Sequence, residues 1–183
     1  MNDESHKIEH FYFDIGEEEW FDYWNIYLRA VMEAKDGDRF VEIGAWKGRS
    51  ACFMAVEIIN SGKDIKFDCI DNWSLGDTRE EFLKNIEPVK HIINVINMDS
   101  LEAAKLYEDN SIKFCFSDGN HTYPYVTKEI KAFLPKIKSG GILAGHDYAS
   151  VMDGDNQVYN AVNDTLGINN ITTDKNVWIY EKP

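Results

Sequence analysis

RFVEIGAWKGRS, residues 39–50, decides the fold. A short apolar run, 39–44, stops at a glycine. Helical periodicity begins four residues later, at Gly48, and runs to about 59 with Cys52, Ala55, Val56 and Ile59 on one side. A strand turning at once into a helix is half of a crossover unit, and its surroundings repeat the pattern. Apolar runs at 66–71, 92–98, 112–117 and 140–145 read as strands. Periodic segments at 78–86, 101–107, 126–137 and 157–166 read as helices, the first halted by Pro88. Two further runs, 169–173 and 177–181, are joined by a link too short for a crossover, so they pair antiparallel. The expected architecture is α/β: a doubly wound, Rossmann-like seven-stranded sheet with the last strand reversed.

The 183 residues suffice for one domain with a full core. Two parts are expected, an N-terminal helical segment over 1–36 that serves as a cap, and a main domain over 37–183. Composition is 44% hydrophobic and 28% charged, which excludes a disordered or fibrous chain. No apolar run approaches the roughly 20 residues of a membrane span. The opening MNDESHKIEH is acidic and unlike a secretory signal, so a cytoplasmic protein is expected. The formal net charge of −13 argues against nucleic acids and anionic membranes as partners and suits a metal ion or a cationic cofactor. Cys52, Cys69 and Cys115 sit apart among apolar neighbours, as reduced core residues do.

In such sheets ligands bind beyond the carboxyl ends of the strands. Acids stand there after every one of the first five: Glu42 before Gly44, Asp71, Asp99-Ser100, Asp118 with His121 behind it, and His146-Asp147. In the first turn, Gly44 permits close approach and Gly48 opens the helix, whose amino end favours an anion. Glu42, Gly44, Ala45, Trp46, Gly48 and Ser50 are therefore the candidate cofactor loop. Its G-x-x-x-G spacing lacks the middle glycine of the dinucleotide fingerprint, which argues against a nicotinamide-linked oxidoreductase, the rival reading on a similar sheet. Asp71 is placed to hold ribose hydroxyls. Trp73 either stacks on an adenine or fills the core. Asp99 and Ser100 either meet the adenine edge or cap the next helix.

EIGxxxGRS at 42–50, IDxW at 70–73, SDGxHxY at 117–123 and GGILAGHDY at 140–148 together resemble the class I S-adenosylmethionine-dependent methyltransferases. The similarity is to the small-molecule O-methyltransferase branch, which includes macrocin-type and cephalosporin-hydroxylase-like proteins, and it extends over about 38–183. It implies the strand order 3-2-1-4-5-7-6 and S-adenosylmethionine as cofactor, with the cofactor's methionine end at Gly44–Gly48 and its ribose on Asp71. It also implies a small hydroxylated acceptor such as a sugar or natural product. A non-catalytic cofactor-binding protein of the same fold is the second rival.

Neighbouring strands lie ~4.8 Å apart, so Asp118 and Asp147 should emerge side by side. Two such carboxylates repel unless a proton or cation lies between them, and Mg2+ fits. Where the resemblance implies a third ligand, this chain has Tyr148; Asn120 and the 153–156 loop are the alternatives for that place. His121 and His146 are candidate bases for the acceptor hydroxyl, His121 first because it lies in a loop. Tyr123 is expected to line the acceptor pocket.

Residues 11–27 carry eight aromatics. Asp14 and Glu17 suit a helix start, and Trp20, Trp24, Leu28 and Val31 then share a face that would pack on the domain. Tyr23 and Tyr27 are left to wall the substrate pocket or to make a homodimer contact.

Overall fold

Strand–helix alternation governs the structure, a computed structural model that describes residues 7–15, 20–74, 76, 78–149 and 156–183. The strands are β1 (Arg39–Ile43), β2 (Lys66–Asp71), β3 (Ile93–Asn97), β4 (Ile112–Ser117), β5 (Ile137–Gly145), β6 (Ile171–Asp174) and β7 (Val177–Glu181). The α-helices are α1 (Trp24–Glu33), α2 (Arg49–Ser61), α3 (Thr78–Asn85), α4 (Ser100–Ala103), α5 (Tyr123–Phe133) and α6 (Gln157–Leu166). The sheet order is β3-β2-β1-β4-β5-β7-β6, as the resemblance implies. β1 to β5 pair in parallel, and β7 runs antiparallel to both β5 and β6.

The central strands are buried on both faces, which is why they read as continuous apolar runs rather than alternating ones. Successive residues nevertheless serve different cores. Phe40, Phe67, Phe114 and Phe116 pack with α1 and α2. Val41, Ile43, Cys115 and Leu143 pack with α5 and α6. All three cysteines are free and buried. No helix among the described residues is long and apolar enough to cross a membrane.

Most boundaries shift by one to three residues or more from expectation, and three departures bear on the site. α5 starts at Tyr123 because Pro124 sits in its first turn, where a missing N–H costs nothing. Pro135 then falls in a 3-10 turn, Leu134–Lys136, and β5 begins at Ile137. The third concerns α1. Its buried face is Ile26, Tyr27, Ala30 and Val31, with Tyr23 just ahead of it. Trp20 precedes the helix, and Trp24 is 46% exposed. The helix carries apolar residues on two faces. The inward one has rings that fit the phenylalanines below: Tyr23 stacks on Phe116 at 4.4 Å, and Tyr27 meets Phe114 and Phe116 edge-on. Glu17 lies outside the described residues.

Candidate active site

At the end of β1 the chain turns through Gly44, whose φ is +86°. A Cβ there would stand 2.1 Å from the carbonyl oxygen of Asp118, so the β1 and β4 ends touch only because the residue is glycine. Gly48, at φ +87°, caps α2 and packs against Phe82, while Ala45 is buried and accepts a hydrogen bond from the Gly48 N–H. Between them Trp46 holds a left-handed φ of 42°. Its N–H donates to Asp71 Oδ2 at 2.9 Å, and its carbonyl accepts from Trp73 Nε1 at 2.9 Å. Asp71 Oδ1 accepts from the Trp73 N–H as well. Asp71 thus ties the first and second strand ends together. Trp73 is buried against Phe82, as the core alternative describes.

Glu42 lies beneath this loop, 2% exposed. Ser50 Oγ donates to its Oε1, and its Oε2 is buried with no hydrogen-bond partner. Burial, reinforced by the charges of Asp118 and Asp71 and only partly offset by Ser50 and Tyr27, pushes its carboxyl up to about 8. Asp99 caps α4 through the Leu101 N–H and accepts from Tyr125, while Ser100 donates to the buried Glu129. Those two residues are spoken for by the helix start, although capping leaves room for a second role.

The reacting end is built where β4 and β5 stop. Asp118 Oδ1 is 3.4 Å from His121 Nε2 and 3.9 Å from His146 Nδ1. Asp147 Oδ2 is 3.2 Å from His121 Nδ1, and its Oδ1 is 3.6 Å from His146 Nδ1. One ligand atom from each of Asp118, His121 and Asp147 lies within 4.8 Å of the others. The two imidazoles differ: the His121 side chain is 51% exposed, and that of His146 is 11% exposed. The bond to Asp118, opposed by burial and aided by the charges of Asp118 and Asp147, raises His121 above the usual histidine value. For His146 burial works downward, but the bonds to Asp147 and Asp22 and the nearby carboxylates outweigh it and lift the ring to about 9. Burial would raise Asp147, yet both histidines and Asn176 hold it low.

Not every expected residue joins this cluster. Asn120 Oδ1 accepts from the Thr122 N–H and hydroxyl, so its side chain shapes the turn before α5. The third member beside the two acids is His121. Residues 153–155 lie outside the described residues. Tyr123 donates to Asp164 and docks α5 on α6 instead of facing the cluster, and Tyr148 donates to Asn163. Sequence reading missed Asp22, whose Oδ1 is 3.1 Å from His146 Nε2, and Asn176, which donates to Asp147. It left Tyr23 as a pocket wall, whereas its hydroxyl donates to Asp118 Oδ2 at 3.1 Å. No local signal marks them, because each partner arrives from a distant segment.

The described methyltransferase domain family matches residues 41–148. No curated protein sequence matches the chain closely. Several solved structures have a similar fold. One, from Corynebacterium glutamicum, is 12% identical with a TM-score of 0.70, covering 93% of this chain and 84% of its own. A protein described as an rRNA methylase from Clostridium thermocellum is 14% identical, TM-score 0.68, covering 87% and 96%. A protein described as a caffeoyl-CoA O-methyltransferase from Staphylococcus aureus is 15% identical, TM-score 0.63, covering 87% and 82%. At these identities the likeness is one of fold. The family match spans more than half of the sequence, including the candidate cofactor loop and the Asp118–Asp147 cluster, and so the chain belongs to the methyltransferase domain family of S-adenosylmethionine-dependent enzymes.

Proposed function

We propose that the chain methylates a hydroxyl oxygen of a small acceptor, a sugar or another natural product, with a divalent cation held between Asp118 and Asp147 and His121 beside it as the base. The observation that carries this reading is the convergence of two carboxylates and an imidazole at adjacent strand ends. The net charge of −13 supports a small acceptor over a nucleic acid.

The residues fit the cofactor. The buried, unpartnered Oε2 of Glu42 suits its ammonium group, and the acidic rim suits its sulfonium charge. Asp71 and the Gly44–Gly48 turn would hold the rest. They also fit a cation of the Mg2+ or Mn2+ kind, since carboxylate oxygens are its preferred donors. S-adenosylmethionine supplies a methyl already activated by positive sulfur, and a bound cation would lower the pKa of the acceptor hydroxyl.

The chain's own work is alignment and proton handling. His121 stands between the two carboxylates, which favour the protonated form of its ring. With positive charge in that place instead, its ring is neutral and, being half exposed, free to accept the hydroxyl proton as oxygen bonds to carbon and the carbon–sulfur bond breaks. His146 is more enclosed and keeps its charge, which marks it as a fixed partner of Asp147. The test is mass-spectrometric detection of a 14-dalton gain across a panel of hydroxylated acceptors, with S-adenosylmethionine and Mg2+, with and without chelator. Product that disappears with chelator supports the full reading. Product that persists removes the cation, and transfer only to nitrogen or carbon removes the hydroxyl.

A further inference from the structure

Each of the two facing carboxylates has one oxygen tied to the scaffold and one left toward His121. Asp118 Oδ2 accepts from the Tyr23 hydroxyl, leaving Oδ1 to face His121 Nε2. Asp147 Oδ1 accepts from Asn176 Nδ2 at 3.3 Å, leaving Oδ2 to face His121 Nδ1. Both tethering residues lie outside the 41–148 region that the family shares. Both are themselves firmly held. Tyr23 is 6% exposed and stacked on Phe116. Asn176, in the turn between β6 and β7, also accepts from the Ala149 N–H through Oδ1 and from the Tyr148 N–H through its carbonyl. It thereby clamps the segment in which Asp147 adopts a left-handed φ of 60°. A non-glycine residue in that region is strained and persists only where its surroundings impose it.

We infer that Tyr23 and Asn176 are positioning residues that turn the free oxygens Asp118 Oδ1 and Asp147 Oδ2 toward one point beside His121. A carboxylate tied at one oxygen cannot rotate both away, so two such ties, one on each carboxylate, restrict the spacing of the remaining pair. The cation role of that point rests on the function proposed above; the orienting role does not. Partners of this kind typically govern metal affinity by 10–100-fold.

The test measures Mn2+ binding by calorimetry and by loss of the free-ion EPR signal in wild type, Tyr23→Phe and Asn176→Ala. Tyr27→Phe is the control, since it removes a nearby buried hydroxyl that makes no hydrogen bond to Asp118 or Asp147. Wild type and control are expected to bind alike, with each positioning variant weaker by about 10-fold or more. Unchanged affinity in both variants would overturn the inference. If wild type binds no Mn2+, the cation reading fails by itself, and the metal-free spectrum decides the orienting role. There the His121 ring carbon and nitrogen resonances should move in Tyr23→Phe and Asn176→Ala but not in Tyr27→Phe; unmoved resonances overturn it. Should Asn176→Ala fail to fold, Tyr23→Phe keeps the aromatic packing and carries both readouts.

Discussion

The sheet presents carboxylates at both ends, and the two ends treat them differently. At the amino end Asp68 is 2% exposed, paired with the Arg39 guanidinium and hydrogen-bonded by Asn94 at 2.8 Å. Arg39 also lies over the Tyr107 ring. At the carboxyl end Asp118 and Asp147 are half-buried and faced by imidazoles. A guanidinium never gives up its charge, whereas an imidazole does so near neutral pH. One end therefore closes a pair of fixed charge, and the other faces its acids with groups that titrate. The contrast separates an ion pair that pH leaves alone from one that responds to it, although both rest on the same sheet.

Breaking the rim itself should have the largest effect. Gly44→Ala forces a Cβ onto the Asp118 carbonyl and a side chain into a left-handed backbone, so soluble, cofactor-binding protein should be lost. Thermal melting and binding of S-adenosylhomocysteine report it; a normal melt with intact binding would show that the β1–β4 contact is slack. Next is the amino end. Arg39→Ala leaves Asp68 buried without its cation and should cost about 3 kcal/mol, the lower part of the range for such pairs because Arg39 is partly exposed. Cofactor affinity of the folded variant should be unchanged, and a parallel loss would deny that the two ends are independent.

A third effect follows from His146. Its ring is raised to about 9, so its stabilising contribution is complete below about 6.5 and is lost as pH climbs toward 9. Glu42, raised to about 8, acts in the same direction: the folded state holds a proton that the unfolded chain has released. Stability by urea unfolding should fall between pH 6.5 and 9.5, by at most about 3 kcal/mol from His146. His146→Gln should flatten part of that slope. The same slope in the variant would mean that the ring is not paired with the rim acids. Smallest is Asp147→Asn, expected to change stability by no more than about 1 kcal/mol while greatly weakening Mn2+ binding.

Much of this was legible in the chain. Two-sided burial makes β1, β2, β4 and β5 read as strands, and the short β6–β7 link forces an antiparallel pair; the order of the strands came from the family resemblance, not from local pattern. The rim acids were legible because strand ends are recognisable. Their partners were not. Tyr23 reaches Asp118 across 95 residues and Asp22 reaches His146 across 124, distances over which no periodicity carries information. The α1 face was misread because both stripes of that helix are apolar, and only the ring shapes beneath select one. Asn120 and Tyr123 look like site residues by type, but turn geometry and the α5–α6 contact claim them.

Calorimetric titration of S-adenosylhomocysteine at pH 7, in two buffers of different ionisation enthalpy, tests the central claim most directly. With Glu42 protonated at rest and its unpartnered oxygen receiving the cofactor ammonium, saturable one-to-one binding should release close to one proton, and Glu42→Gln should abolish that release. Well-folded protein that gives no saturable heat would contradict the account.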